Sequence, residues 1–345
     1  MSLRFRKSMK LMPGVRLNFG KETVGMSFGI PGMRYTINSK GRRTFSSGIP
    51  GTGLYNVETL SSGRTSSRKK AAAEEEVQQV PVVPPSPSLF ARRSEVNFHD
   101  FLNDIYNYEH PDSAEEVLRK AAALKEKYPD LHYPLRLICF VHAITTEEFK
   151  EIAIEWGAEL WENRAAAFDH KLSRKYLKGI YPQTRISPGI WTRLSYDEQI
   201  LGFIWVEVMQ DQKRYQEAMD TLLDMVPDQL VAVSLADLEI TMKDYDGAIE
   251  TTEDIENVDD ATAMLLILRG VAFREKNLND AAIECFKRAL ANKENSEEVK
   301  HRALYERAQS LIKAGKKAMA RKDLEKILVD DPNHEAALKS LETID

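Results

Sequence analysis

Few side chains in this 345-residue chain are spaced for acid-base or metal chemistry. Cys139 and His142 lie three residues apart, a spacing that places a thiol and an imidazole on one face of a helix. The pair could supply two ligands to a zinc ion, but the further ligands that a zinc site needs are missing nearby. We therefore interpret Cys139 as a buried thiol and His142 as a core or interface histidine.

The other histidines are scattered along the chain and form no recognisable catalytic arrangement. They are His99, His110, His132, His170, His301 and His334. The sequence contains no zinc-protease helix motif and no nucleophile elbow. We predict no catalytic residue, no metal site and no cofactor. An enzyme with an unrecognised site in the helical region is our third hypothesis for function.

The charge of the chain changes sign near residue 70. Residues 1–70 contain 14 lysines and arginines against two glutamates, a net charge of +12. Residues 71–345 contain 34 basic and 51 acidic residues, a net charge of −17. Ten of the 17 glycines also lie before residue 70. These differences predict a multidomain protein whose two parts differ in architecture.

Short runs of alternating apolar and polar residues between Val15 and Tyr55 are separated by Gly, Pro, Asn or Ser. This pattern predicts a small antiparallel β-meander domain over residues 1–60. Basic residues alternate with the apolar ones and predict a surface for an anionic partner. The residues of this basic surface are Arg4, Arg6, Lys7, Arg16, Arg34, Arg42 and Arg43.

Two partners for the basic surface remain open. The arginines could contact the phosphates of a nucleic acid, with aromatic residues stacking on bases. Alternatively, the sheet docks on an acidic protein surface, including the helical part of this chain. We favour the second because the sheet lacks the aromatic-rich strand of RNA-recognition domains. The module also contains no His, Cys, Asp or Trp, so it has few groups for catalysis.

Four ordered motifs occur in this first module: RFRKS at 4–8, PGVRLN at 13–18, IPGMRY at 30–35 and IPGTGLY at 49–55. Together they resemble a short bacterial domain of unknown function that is usually found at the N-terminus and joined to variable partners. The resemblance covers roughly residues 1–57. It implies a bacterial protein, and it implies no particular activity.

Residues 61–94 are rich in Ser, Ala, Pro and charged residues and include the run VPVVPPSPS. Proline removes backbone donors and stiffens the chain in an extended form, so this segment cannot join a regular sheet. We predict a flexible linker between two separately folded domains. A spacer is a better interpretation than a proline-rich ligand.

From residue 95 the apolar period becomes helical, and two segments, 263–294 and 301–332, share one pattern of large and small residues. The pattern comprises Leu266, Gly270, Phe273, Ala282, Phe286 and Ala289, and then Leu304, Ala308, Leu311, Ala320, Leu324, Ile327 and Pro332. This spacing resembles the 34-residue tetratricopeptide repeat (TPR). Weaker copies occur over 95–128 and from residue 199. We therefore predict an all-α TPR-like helical solenoid over 95–345.

The resemblance to TPR proteins implies that the inner face of each first helix binds the ligand. The corresponding residues are Val233, Asp237, Met264, Ile267, Val271, Arg274, Arg302, Tyr305, Gln309 and Lys313. They lack the asparagines and lysines with which the chaperone-tail subclass binds a terminal carboxylate. An apolar groove with a charged rim suits a helix or an extended peptide. About half of these residues are expected to pack against neighbouring helices instead.

Three further features concern the helical region. Residues 146–178 are predicted to form one long helix, and residues 181–194 a long loop because they contain two prolines and a glycine. Trp191 in that loop is interpreted as a plug on the solenoid rather than a partner anchor. Ser113, Ser195 and Asn295 have the spacing of helix caps.

No segment of the sequence predicts export or membrane insertion. Gly and Pro interrupt the basic N-terminus before a signal-peptide core could form, and the longest strongly apolar run is only AMLLIL at 263–268. The two cysteines form no paired motif. We predict a cytoplasmic, non-enzymatic adaptor that binds protein partners. The alternative is a nucleic-acid-associated factor that uses residues 1–60, and no oligomeric state is predicted.

Overall fold

The computed structural model of the protein is mainly helical. It describes residues 84–106, 112–187 and 190–344, and the backbone of six strands between residues 6 and 61. The chain divides into two units, residues 75–226 and residues 1–74 together with 227–345. Among the described helices, none is both long and apolar enough to cross a bilayer.

The six N-terminal strands form an antiparallel meander in which each strand pairs with the next. They are β1 (Arg6–Met12), β2 (Val15–Gly20), β3 (Val24–Phe28), β4 (Met33–Asn38), β5 (Arg43–Gly48) and β6 (Tyr55–Ser61). Arg4, Arg42 and most of the predicted linker lie outside the described residues. The side chains of the six strands also lie outside the described part, so the basic surface stays a prediction.

Eight helices and one hairpin form the described part of residues 75–226. The helices are α1 (Arg93–Ile105), α2 (Ala114–Lys127), α3 (His132–Ala143), α4 (Lys150–Glu162), α5 (Arg164–Asp169), α6 (Lys171–Tyr176), α7 (Glu198–Asp211) and α8 (Tyr215–Asp224). Short 3-10 turns occur at Pro129–Leu131, Glu147–Phe149 and Leu177–Gly179. In the core of this unit, the rings of Phe98 and Tyr176 pack edge to face with centroids 5.6 Å apart.

The single long helix predicted for residues 146–178 is wrong, because the chain breaks it into α4, α5 and α6. Asn163 ends α4 and donates its side-chain amide to the Glu159 carbonyl at 2.8 Å. His170 adopts an extended backbone and accepts a hydrogen bond from the Leu172 amide. Leu160 and Leu172 are both buried. In a straight helix, residues twelve apart point about 120° from each other, so the breaks allow both to enter the core.

The loop predicted for residues 181–194 is instead a hairpin of β7 (Gln183–Ser187) and β8 (Ile190–Arg193). Thr184 and Ile186 are buried on one side of β7, which is the period-two pattern of a strand. Glu207 of α7 accepts hydrogen bonds from the Thr184 hydroxyl at 3.1 Å and the Arg185 amide at 3.2 Å. Trp191 is 55% exposed, so its interpretation as a plug is wrong.

Seven helices form the described part of residues 227–345. They are α9 (Gln229–Thr241), α10 (Tyr245–Thr251), α11 (Asp260–Glu275), α12 (Asn279–Ala289), α13 (Glu297–Lys313), α14 (Lys317–Asp330) and α15 (Glu335–Ile344). The strongest predicted repeats correspond to the helix pairs α11–α12 and α13–α14. Helix α15 packs along α14, and Ala337 and Ile344 join a core that includes Leu324 and Ile327.

Polar caps begin several of these helices, but not always at the predicted residue. Ser113 accepts the Glu116 amide, as predicted. The caps of α7 and α13 are Asp197 and Ser296 instead of Ser195 and Asn295. Asn295 is buried and donates its side-chain amide to the Ala289 carbonyl at 3.2 Å, so its side chain stabilises the end of α12.

The same turn joins the helices of the pairs α7–α8, α9–α10, α11–α12 and α13–α14. A residue with positive φ occupies equivalent positions of the four turns: Lys213, Lys243, Asn277 and Gly315. The following amide donates to a carbonyl five residues earlier, as in the bond from Lys316 N to Leu311 O at 2.8 Å. This left-handed residue at a helix C-terminus satisfies free carbonyls and reverses the chain. The turn therefore repeats along the chain with the helix pairs.

Gly270 brings α11 into close contact with α12. A Cβ atom added at Gly270 would lie 2.5 Å from Cε1 of Phe286, whose side chain is fully buried. Gly157 of α4 has the same role in the other unit, where an added Cβ atom would lie 2.3 Å from Cε3 of Trp205. The small residue of the repeat is therefore required because an aromatic ring fills the space above it.

Replacing Gly270 with alanine is expected to lower the free energy of unfolding by about 1–3 kcal/mol, because Phe286 cannot move without straining the core. Urea denaturation followed by circular dichroism measures the change. Gly179→Ala is the matched control, since no heavy atom lies within 4 Å of its added Cβ atom. Equal stability of the Gly270→Ala and wild-type proteins would contradict the proposed close contact.

Candidate partner-binding surface

The Cys139 and His142 pair is not arranged for nucleophilic chemistry. Cys139 is buried, as predicted, and burial raises the pKa of its thiol to about 12. Burial also lowers the pKa of His142, which keeps the imidazole neutral. Because the reactive form of cysteine is the thiolate, a thiol in this environment is a poor nucleophile and a poor metal ligand near neutral pH.

Half of the residues predicted to bind a ligand are inside the helical packing. These residues are Val233, Asp237, Met264, Ile267 and Val271, and all five are buried. They lie on α9 and α11, two helices in which seven consecutive residues are covered: 233–239 and 262–268. A helix covered on all sides has no open face for a peptide.

The other half remains accessible to solvent at one end of α11 and along α13. Arg274, Arg302, Tyr305 and Gln309 are partly buried, and Lys313 is exposed. Arg302, Gln309 and Lys313 recur at intervals of seven and four residues, which places them on one stripe of α13. We name these five residues the α13 surface.

A chain of alternating charges fixes the basic residues of the α13 surface. The Glu306 carboxylate is shared by Arg274, which donates to it, and by Arg302, whose Nε lies 2.9 Å from Oε1. The Glu275 carboxylate is shared by Arg274 at 3.1 Å and by Lys313 at 3.6 Å. Burial disfavours the Arg274 cation, but Glu306 and Glu275 outweigh this effect and raise its pKa.

Tyr305 and Gln309 connect the α13 surface to α15. Gln309 donates its side-chain amide to the Ser340 hydroxyl at 2.9 Å. The Tyr305 ring lies 6.2 Å from the ring of His334, just before α15 begins. Both side chains are therefore held by neighbouring residues, so they lose little conformational freedom when a ligand binds.

The arrangement can bind a negatively charged or hydrogen-bonding segment. Three cations face two carboxylates, so the network keeps one positive charge in excess, and its most exposed member is Lys313. Guanidinium groups held in place by carboxylates present their remaining N–H groups in a fixed geometry. Tyr305 adds an aromatic ring beside them. Charged donors next to an aromatic ring commonly carry binding energy at protein interfaces.

Sequence reasoning missed the two acids that organise this surface, Glu275 and Glu306. Glu306 follows Arg302 by four residues, and this spacing on a helix is a recognisable signal for an ion pair. The contact between Glu306 and Arg274, 32 residues apart, has no local signal. A second missed group comprises Glu297, His301 and Asp330, whose candidate ligand atoms lie within 4.8 Å of one another.

Two family models match separate parts of the chain. Residues 3–57 match a family described as a protein of unknown function, DUF4236. Residues 302–334 match the tetratricopeptide repeat. The second match covers most of α13 and all of α14, the helices that correspond to the last predicted repeat. It supports the prediction of a TPR-like helical array.

A solved structure with a similar fold is the N-terminal domain of the EccA1 ATPase from the ESX-1 secretion system of Mycobacterium tuberculosis. The similarity covers 71% of this chain and 87% of that domain, with a TM-score of 0.53 and 14% sequence identity. At this identity the likeness concerns the fold alone. No curated protein matches the chain.

Proposed function

We propose that this protein is a non-enzymatic adaptor whose helical repeats bind a helix or an extended peptide of a partner protein. The observation that carries this proposal is the α13 surface. Arg302, Tyr305, Gln309 and Lys313 are partly or fully exposed along a helix that matches the tetratricopeptide repeat, and Arg274 of α11 joins them through Glu306. Three of the five residues are basic. Repeat proteins of this type bind ligands on extended surfaces built by successive helices. The proposed partner carries acidic residues opposite Arg302 and Lys313.

Burial limits which of the predicted residues we propose as contacts. Val233, Asp237, Met264, Ile267 and Val271 are buried, so we assign them to packing between helices. Arg274, Arg302, Tyr305, Gln309 and Lys313 remain as the proposed contact residues. Because carboxylates and Ser340 already orient most of these side chains, a ligand gains charge-assisted hydrogen bonds at a small cost in ordering.

The basic N-terminal domain is proposed to contact a second, anionic surface. This part of the proposal rests on the net charge of +12 over residues 1–70. The helical domain of EccA1 belongs to an ATPase, so a similar helical fold also occurs beside a different module. An adaptor of this kind would act in the cytoplasm. A nucleic acid remains the alternative anionic partner, and its binding would weaken steeply with added salt.

The adaptor proposal is tested by reversing one charge on the α13 surface. The full-length protein is used to capture partners from a bacterial extract, and each partner is purified and titrated. Lys313→Glu is expected to weaken binding by roughly 30-fold, equivalent to about 2 kcal/mol, because it places like charges at the contact. Lys322→Glu is the matched control, since Lys322 is an exposed lysine of α14 outside the α13 surface.

The two variants separate the possible outcomes. A partner that loses affinity with Lys313→Glu and keeps it with Lys322→Glu supports the proposed surface. Equal affinity for both variants means that the partner binds elsewhere and that the α13 surface is wrongly assigned. Failure to recover any specific partner counts against the adaptor function itself.

A further inference from the structure

A mixed group of one histidine and two carboxylates lies at one end of the α13–α14 helix pair. Glu297 and His301 are four residues apart on α13, so their side chains share one face. Asp330 is the last residue of α14. Nε2 of His301 lies 3.4 Å from Oδ2 of Asp330, and one candidate ligand atom from each of the three residues lies within 4.8 Å of the others.

The helical hairpin itself brings these residues together. Helices α13 and α14 are joined by a tight turn and run in opposite directions, so the first turns of α13 lie beside the end of α14. The His301 side chain is only 15% exposed, and its ring lies 6.5 Å from the His334 ring at nearly a right angle. The two carboxylates are more exposed and are free to adjust their rotamers. One fixed ligand and two adaptable ligands therefore converge.

The group opens into a cleft of about 640 Å³. Apolar residues on its wall include Leu290, Leu304 and Val329. Four basic residues also line the cleft, and one of them, Arg307, is paired with Asp323; they are Lys293, Lys300, Arg307 and Lys326. The Lys300 ammonium lies 2.8 Å from Oε1 of Glu297, so a metal cation that bound there would replace this partly buried lysine as the partner of one carboxylate oxygen. The cleft leaves space for additional ligands such as water.

We propose that Glu297, His301 and Asp330 form a binding site for a divalent first-row transition metal, with Zn²⁺ as its best probe. An imidazole nitrogen with two carboxylate oxygens is a donor set that suits Zn²⁺. Mg²⁺ and Ca²⁺ prefer sites made entirely of oxygen ligands. The two carboxylates balance the charge of the ion, and three protein ligands leave at least one position facing the cleft.

Zinc titration of the full-length protein tests this proposal. The protein is stripped with a chelator, dialysed and titrated calorimetrically with ZnCl₂. We expect one high-affinity site per chain, and Co²⁺ at the same site should give the intense visible absorption of a low-coordinate complex. Asp330→Asn should weaken Zn²⁺ binding by more than about tenfold, since even the loss of a group that only supports a metal ligand costs roughly 10–100-fold.

Two further variants make the test specific. His301→Gln should abolish the same binding event and its Co²⁺ spectrum. His99→Gln is the control, because His99 also lies beside a carboxylate, 3.2 Å from Asp100, but belongs to no three-residue group among the described residues. Circular dichroism checks that each variant is folded. The proposal is overturned if wild-type protein binds no Zn²⁺, or if Asp330→Asn with native helicity binds it as tightly as wild type.

Discussion

Replacing Asp323 with alanine is expected to lower the free energy of unfolding by about 3–5 kcal/mol. Asp323 is 4% exposed and accepts two hydrogen bonds from Arg307, from Nε to Oδ2 and from Nη2 to Oδ1, both at 2.7 Å. Without the carboxylate, a largely buried guanidinium on α13 has lost both of its charge-assisted bonds. The cost is the exposure of an unpaired charge to a poorly solvating interior, so it exceeds the net value of the pair.

Urea denaturation followed by circular dichroism measures this loss of stability. Two further variants serve as controls for its cause. Asp280→Ala removes the carboxylate of an exposed ion pair, in which Asp280 lies 2.8 Å from Lys316. Its effect should be marginal because water screens and solvates both groups. The double variant Arg307→Leu/Asp323→Leu should recover much of the stability, since it leaves no unpaired charge. A similar loss for Asp323→Ala and Asp280→Ala would contradict the argument from burial.

Raising the pH from about 5 to 8 is expected to destabilise the α9–α10 helix pair through Glu239. Burial, as the largest cause, raises the pKa of Glu239 from its ordinary value of 4.5 to about 7, while a hydrogen bond from Thr251 opposes the rise. The side chain is 6% exposed, and within the described residues its Oε2 has no hydrogen-bond partner. The folded protein therefore holds a proton on Glu239 that the unfolded chain has already released above pH 5.

The direction and size of this effect follow from proton linkage. A carboxyl group with a raised pKa stabilises the fold fully below about pH 4.5, and this contribution disappears as the pH rises to about 7. Since each tenfold change in a proton equilibrium corresponds to about 1.4 kcal/mol, the loss between pH 5 and pH 8 is roughly 2–3 kcal/mol. Above pH 7 the fold must either hold a buried anion or open locally around it.

Comparison of Glu239→Gln with wild type isolates this contribution. The amide keeps the shape of the side chain and cannot ionise, so the variant should be the more stable protein at pH 8. The difference between the two proteins should shrink towards pH 5. Glu250→Gln is the control, because Glu250 is exposed and acts on Glu239 only through space. An unchanged difference between Glu239→Gln and wild type across this range would show that Glu239 is not protonated in the fold.

Local patterns in the sequence were sufficient to predict the helical architecture. The small residue Gly270 and the large residue Phe286 follow the repeat spacing, and the structure shows why: the ring occupies the space that a side chain at Gly270 would need. The repeat ending at Pro332 is confirmed by the family match over residues 302–334. These features depend on residues within one helix pair, so their contacts can be predicted from their spacing along the chain.

Breaks in regular structure were harder to predict. The sequence of residues 146–178 favours helix throughout, yet α4, α5 and α6 are separated at Asn163 and His170. Conversely, the prolines near residues 181–194 suggested a loop, although Glu207 of α7 holds a strand there through Thr184 and Arg185. In both cases burial against other elements outweighed the local preference.

The amino-acid sequence by itself determined the helix pairs, the repeat spacing and the separation of a basic segment from an acidic one. Only the tertiary structure decided which predicted contact residues are accessible. The central residues of α9 and α11, 233–239 and 262–268, are covered on all sides. A run that is buried throughout has no periodic signal that distinguishes a ligand-binding face from a packed one. The tertiary structure likewise brought Glu306 to Arg274 and Asp330 to His301, which lie 32 and 29 residues apart. Contacts over such separations depend on how the helices stack, so they cannot be predicted from local spacing in the sequence.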